Sequence, residues 1–271
     1  MDADESLSAM PERGLTPDQA IADLRGSDPG ARYYAAWWLG RFRVKDPEAI
    51  ASLVAALRDT VDRSPDGGYP LRRNAARALG KLEEVSAVPA LLDCLDCEDF
   101  YVREAAAQSL GTLGDRRAVA PLMALLAGGM AAAQPIPGCP HLAQPYDATL
   151  EALGMLGATE AVPLIKPFLA HPLALVQYAA ARALYQLTGE DDYGDRLVAA
   201  LGGDQLQLRR AALADLGAIG YLPAAAAIAE TLAENSLKLI ALKGLLEAEL
   251  QRHPGLSPAA VQVMQLMDGL L

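Results

Sequence analysis

The chain has 271 residues, 52% hydrophobic and 21% charged, which is ample for a large core and excludes a disordered or fibrous class. Its formal charge of −11 argues against a nucleic-acid partner, which favours a basic face. Three cysteines make no disulfide framework and suit a reducing cytoplasm, and no run of about 18 uninterrupted apolar residues offers a membrane span.

Much of the apolar fraction is Ala and only three residues are Phe, so the expectation is an all-α chain. Residues 1–15 are polar and expected to be flexible, and Met1-Asp-Ala-Asp-Glu lacks the apolar core of a signal peptide. Thr16-Pro17-Asp18-Gln19 reads as a helix start, with Thr at the cap, Pro at the first helical position and Gln at the capping-box position. That helix, Pro17–Arg25, ends at Gly26. Ser27-Asp28-Pro29-Gly30 turns the chain into Arg32-Tyr33-Tyr34-Ala35-Ala36-Trp37-Trp38-Leu39-Gly40, which holds both tryptophans.

This stretch is a template that recurs. Aligned on its Leu, it returns at Leu79, Leu110, Leu153, Leu184 and Leu216. Self-similarity at about thirty to forty residues means stacked helix pairs. Two longer spacings carry Pro/Gly-rich insertions expected to be loops, near residues 60–70 and 128–145. Before each template helix lies a Val/Leu/Ile-faced helix: Pro47–Leu57, Ala87–Leu95, Ala118–Ala127, Ala161–Ala170, Gly194–Leu201 and Leu222–Ala233. Seven positions before the aligned Leu stand Arg32, Arg72, Arg103 and Arg209, with Tyr146 and Gln177 in the other two units. Asp28 and Asp99 lie four residues before Arg32 and Arg103, an ion-pair spacing that makes this ladder structural. Small residues three and four before the Leu let helices approach closely. The Gly after the Leu, replaced once by Tyr185, is read as letting the helix end or bend. A helix pair cannot bury its own apolar face, so the units stack into one α-solenoid over residues 16–271, closed by a capping helix at Ser257–Leu271.

The Leu71–Gly80 and Val102–Gly111 segments resemble HEAT-like repeats. Arg32–Arg41, Gly67–Gly80, Glu98–Gly111, Tyr178–Leu187 and Leu206–Pro223 are similar to the E subunit of the E/F-type phycobilin lyases, over about residues 15 to 250. The resemblance implies a right-handed superhelix with the second helices on its concave face. It implies a heterodimer with an F-type subunit, which attaches phycocyanobilin through a thioether to a cysteine of the phycocyanin α subunit. The nucleophile then belongs to the acceptor, the bilin is a substrate, and no cofactor is expected.

Positions six and two before each aligned Leu fall on one helix face. They read Tyr33 and Trp37, Arg73 and Arg77, Glu104 and Gln108, Asp147 and Glu151, Tyr178 and Arg182, Arg210 and Ala214. Aromatic faces suit flat pyrrole rings, arginines suit propionates, and a carboxylate suits pyrrole N–H groups and favours a protonated, more electrophilic bilin. The candidate bilin-binding residues are Tyr33, Trp37, Arg73, Arg77, Tyr178, Arg182, Arg210 and Asp215, with Asp215 the candidate acid or base. For each the bland alternative is a solvated surface or a structural ion pair. Tyr34 and Trp38 are expected to point into the stack.

Cys94-Leu-Asp-Cys97 has CxxC spacing but no second pair, and Cys139-Pro-His141 lies in a loop without further ligands, so neither reads as a metal site. His171 and His253 precede prolines and read as turn residues. No Ser/His/Asp arrangement or phosphate-cradling loop is present. The rival readings are a HEAT-like adaptor or assembly chaperone without chemistry, and a lyase for a different bilin.

Overall fold

The computed structural model describes residues 14–253 and 255–271; all but the last two residues of the stretch expected to be flexible lie outside it. The described residues form two layers of α-helices. The first layer comprises α1 (Pro17–Arg25), α3 (Pro47–Ala56), α5 (Val88–Asp93), α7 (Val119–Leu125), α10 (Val162–Ile165), α12 (Asp191–Ala200) and α14 (Ala225–Glu230). The second comprises α2 (Pro29–Arg41), α4 (Pro70–Leu82), α6 (Phe100–Leu113), α9 (Tyr146–Met155), α11 (Ala174–Thr188), α13 (Leu206–Ile219) and α15 (Asn235–Arg252). Each second-layer helix packs on the first-layer helix before it and on the next second-layer helix. This is an α-solenoid, and α16 (Pro258–Asp268) closes its last pair against α14 and α15. No helix among the described residues is long and apolar enough to cross a membrane.

The template residues supply the core. Leu39, Leu79, Leu110, Leu153, Leu184 and Leu216 are all 0% exposed. The glycine after the leucine lies within the last turn of its helix, one residue before the end of α2 at Gly40 and two before the end of α6 at Gly111. It is small because two second-layer helices touch there: a Cβ on Gly40 would lie 2.7 Å from the Ala78 Cα, and one on Gly111 2.8 Å from the Ala152 Cα.

The arginine ladder is structural, but not through pairing four residues apart. Asp28 and Asp99 are spent as N-caps, accepting from the Ala31 and Tyr101 backbone N–H groups at 2.6 and 2.8 Å. Arg32 instead pairs with Asp59 at 2.8 Å. Arg103 donates to the Cys97 and Ala143 carbonyls at 2.6 and 2.8 Å, and Arg209 to the Gly203 and Leu232 carbonyls at 2.6 and 3.0 Å. Each ties down an inter-helix turn whose carbonyls have no helical partner.

Several first-layer helices are shorter than their apolar pattern suggests and are flanked by 3-10 turns. Val85–Ala87 and Cys94–Asp96 bracket α5, and Lys166–Ala170 follows α10. Pro89 and Pro163 lie in the first two positions of α5 and α10, and Pro167 in those of the 3-10 turn after α10, where the missing N–H is tolerated. The helix expected at Gly194 begins earlier, at Asp191, because two aspartates suit the positive end of the helix dipole. Gly194 is thus interior, and a Cβ there would lie 2.7 Å from the Tyr221 ring. The long insertion is not wholly a loop: it holds the single-turn helix α8 (Gly129–Ala132).

Candidate functional site

The open face of the second layer carries the stripe. At its N-terminal end Tyr33 and Trp37 are 45% and 41% exposed. Tyr34, expected in the stack, is also exposed and stacks on Trp37 with centroids 5.4 Å apart. A residue beside Trp37 on the helix cylinder follows it outward, while Trp38 turns back onto Phe42 at 4.7 Å. On α4, Arg73 makes no ion pair among the described residues. Its guanidinium lies 5.1 Å from the Tyr101 ring centroid, and its buried Nε has no hydrogen-bond partner. Arg77 reaches Glu104 of α6 at 3.6 Å.

Further along, one nitrogen of Arg182, Nη1, donates to both the Glu151 and the Asp215 carboxylates at 3.1 Å. The three side chains are 14%, 31% and 10% exposed, respectively. Burial pushes the Glu151 carboxyl up to about 7 against the pull of Arg182, and Asp215, Asp147 and Glu104 add to the rise. Burial raises Asp215 as well, with Arg182 opposing, and it raises Glu104, helped by Asp147 and opposed by Arg77 and Arg73. Asp215 is therefore held by Arg182 inside the wall. Tyr178 is half-buried, its phenol pushed up by burial and by Asp215. Arg210 does not join this group: it pairs with Glu234 of the next rung at 3.1 Å.

Sequence selection passed over Glu104, Asp147 and Glu151. The available signal was periodicity. Glu151 and Arg182 occupy the same template position in neighbouring units, so stacking places opposite charges side by side.

Beside this network lies a cavity of about 600 Å³, within the usual range for a ligand pocket. Its walls include Tyr101, His141, Leu173 and Leu175, and Glu104 and Asp147 bring the carboxylate stripe into it. The long insertion makes one wall, its His141 ring stacked on Phe100 with centroids 4.1 Å apart. His171, expected as a turn residue, pins that insertion. Fully buried, its Nδ1 accepts from the Leu173 N–H at 3.1 Å, which leaves Nε2 to donate to the Ala133 carbonyl at 2.6 Å. His171→Leu leaves both backbone groups unpartnered, an expected loss of about 2 kcal/mol. Limited proteolysis should then cut the 128–145 insertion faster than in the parent chain; equal rates would deny the pin.

The cysteines stand apart from the network. Cys94 is buried and burial pushes its thiol up to about 12, the opposite of an activated thiolate. Cys139 lies 3.4 Å from His141 Nδ1, but that nitrogen also lies 2.9 Å from the Leu142 carbonyl.

Stacked helix pairs with a charged, pocketed open face define a HEAT-type solenoid. A family model for HEAT repeats matches residues 64–129 and 146–217, and one for the PBS lyase HEAT-like repeat matches residues 31–59. The chain is 62% identical over 272 residues to a phycocyanobilin lyase subunit alpha of Synechocystis sp., covering 97% of this chain and 100% of that one. A second phycocyanobilin lyase subunit alpha, from Nostoc sp., is 61% identical over 260 residues, covering 95% and 94%. The solved complex of CpcE and CpcF of phycocyanin lyase from Nostoc sp. matches with a TM-score of 0.91 at 60% identity, over 100% of both chains. This chain belongs to the phycocyanobilin lyase alpha-subunit family of HEAT-repeat proteins.

Proposed function

We propose that this chain is the E-type subunit of a heterodimeric bilin lyase. With an F-type subunit it binds phycocyanobilin and promotes its thioether attachment to a cysteine of the phycocyanin α subunit, in the cytoplasm. The tetrapyrrole is its substrate, and no separate cofactor is required. The observation that carries this reading is the Tyr101–His141 cavity, with carboxylates in its wall and, next to it, Arg73, which makes no ion pair among the described residues. Flat rings fit the aromatic and leucine walls, a propionate fits Arg73, and pyrrole N–H groups fit Glu104 and Asp147. The acceptor thiol adds across the ring-A ethylidene. The S–C bond forms and the thiol's proton ends on the tetrapyrrole. What this chain supplies is one bilin conformer presented to that thiol.

Co-expression with the F-type subunit, the apo α subunit and a bilin source should give a covalent fluorescent adduct, and an equal yield without this chain would sink the reading. Trp37→Ala removes an exposed ring, so bilin affinity should fall roughly tenfold while helix content holds. An absorbance titration beside far-UV circular dichroism separates that outcome from a folding defect.

A further inference from the structure

Four carboxylates, Glu104, Asp147, Glu151 and Asp215, share the centre of the groove with two arginines that reach them, Arg77 and Arg182. The helices packed on α9 complete the surroundings. From α6 comes Glu104, and from α11 come Arg182 and Tyr178; α13 adds Asp215 beyond them, and α7 carries no titratable side chain. One Arg182 nitrogen serves both Glu151 and Asp215, and the Arg182 Nε is buried without a partner among the described residues. A single cation shared in a desolvated wall does not hold two carboxylates ionised. Of the two, Glu151 is the more exposed, 31% against 10% for Asp215, so it is the one that can exchange a proton with a bound molecule.

We propose that Glu151, rather than Asp215, is the acid of the attachment reaction, its carboxyl giving a proton to the bound tetrapyrrole before the acceptor thiol adds. This rests on the reading of the groove as a bilin site. The Glu151 O–H bond breaks and an N–H bond forms on the imine-type pyrrole nitrogen, leaving a conjugated cation beside a carboxylate. The sulfur then bonds to the exocyclic carbon of ring A, and the electron pair of that C=C bond flows into the cation and discharges it. The thiol's proton replaces the one Glu151 gave up. In sum, one S–H and one C=C become one S–C bond and one new bond to hydrogen on the tetrapyrrole. No oxidant or reductant is consumed. A cationic ligand suits a groove with surplus carboxylate, and the rise of Glu151 to about 7 matches a group that must hold and release a proton near neutrality.

The test uses the complex of this chain with its F-type partner, phycocyanobilin and the apo phycocyanin α subunit. With the parent chain, bound bilin should show the long-wavelength absorbance of a protonated tetrapyrrole. Its attachment rate should fall with a one-proton inflection as pH rises through about 7. Glu151→Gln should bind bilin within about threefold of the parent, lose the long-wavelength band at pH 7, and attach it roughly a hundredfold more slowly with no inflection. Glu151→Asp should keep both the band and a shifted inflection, and it decides the matter if the Gln variant does not fold. Parent-like rate and pH profile in Glu151→Gln overturn the assignment, as does a flat profile in Glu151→Asp. If the parent complex itself yields no adduct, it is the lyase reading that fails.

Discussion

At pH 8 Arg182→Met is expected to destabilise the fold by about 3–5 kcal/mol, because it leaves the Glu151 and Asp215 carboxyls without the cation they share. The methionine fills the space of the aliphatic stem, so the loss is electrostatic rather than a cavity effect. Its pH dependence gives it a signature. Glu151 is raised from 4.5 to about 7, so between those values the folded chain binds more protons than the unfolded chain. Stability from this group is fully present below about pH 4.5 and is lost as pH rises through about 7. Without Arg182 the carboxyls of Glu151 and Asp215 rise further, and the loss steepens. Urea unfolding at pH 5 and pH 8 should therefore show a small penalty for Arg182→Met at the lower value and a large one at the higher. Equal penalties at both would mean that Arg182 acts by packing alone.

The architecture was legible because it is periodic. One leucine per unit, an Ala-Ala step and a following glycine fix which face of each second helix is buried, and every aligned leucine proves inaccessible. Positions on the opposite face followed from the same register, and for that reason Tyr33, Trp37, Arg73 and Arg182 could be named in advance. Pairing between rungs was not legible. Glu151 and Arg182 are 31 residues apart, and their ion pair depends on how closely neighbouring helices stack. The aspartates of the arginine ladder misled for a local reason. A residue just before a helix has four orphan N–H groups within reach, and capping them competes with a salt bridge on the surface. The insertion was opaque for a third reason. Pro and Gly say where a helix stops, but the fold of the loop is set by distant partners. Here His171 holds Ala133 across 38 residues, and this brings His141 against Phe100.

The glycine positions yield the other large effect. Gly111→Val should cost about 3 kcal/mol, near the upper end of overpacking penalties. Taken alone, removing a glycine from a helix interior favours folding by roughly 0.5 kcal/mol, since valine loses less backbone entropy. Packing overrides that gain. A Cβ at Gly111 would lie 2.8 Å from the Ala152 Cα and 3.0 Å from its Cβ, and the first of these is backbone that no rotamer change can move. The only relief is to separate α6 from α9, and the cost spreads because both helices also pack on neighbours in the stack. The same separation shifts Glu104 away from Asp147 and opens the cavity that both line. Gly111→Val should thus lower the thermal midpoint and weaken bilin binding together, whereas Trp37→Ala weakens binding alone. Thermal unfolding with a parallel absorbance titration checks both, and an unchanged midpoint would show that the second layer has slack at this rung.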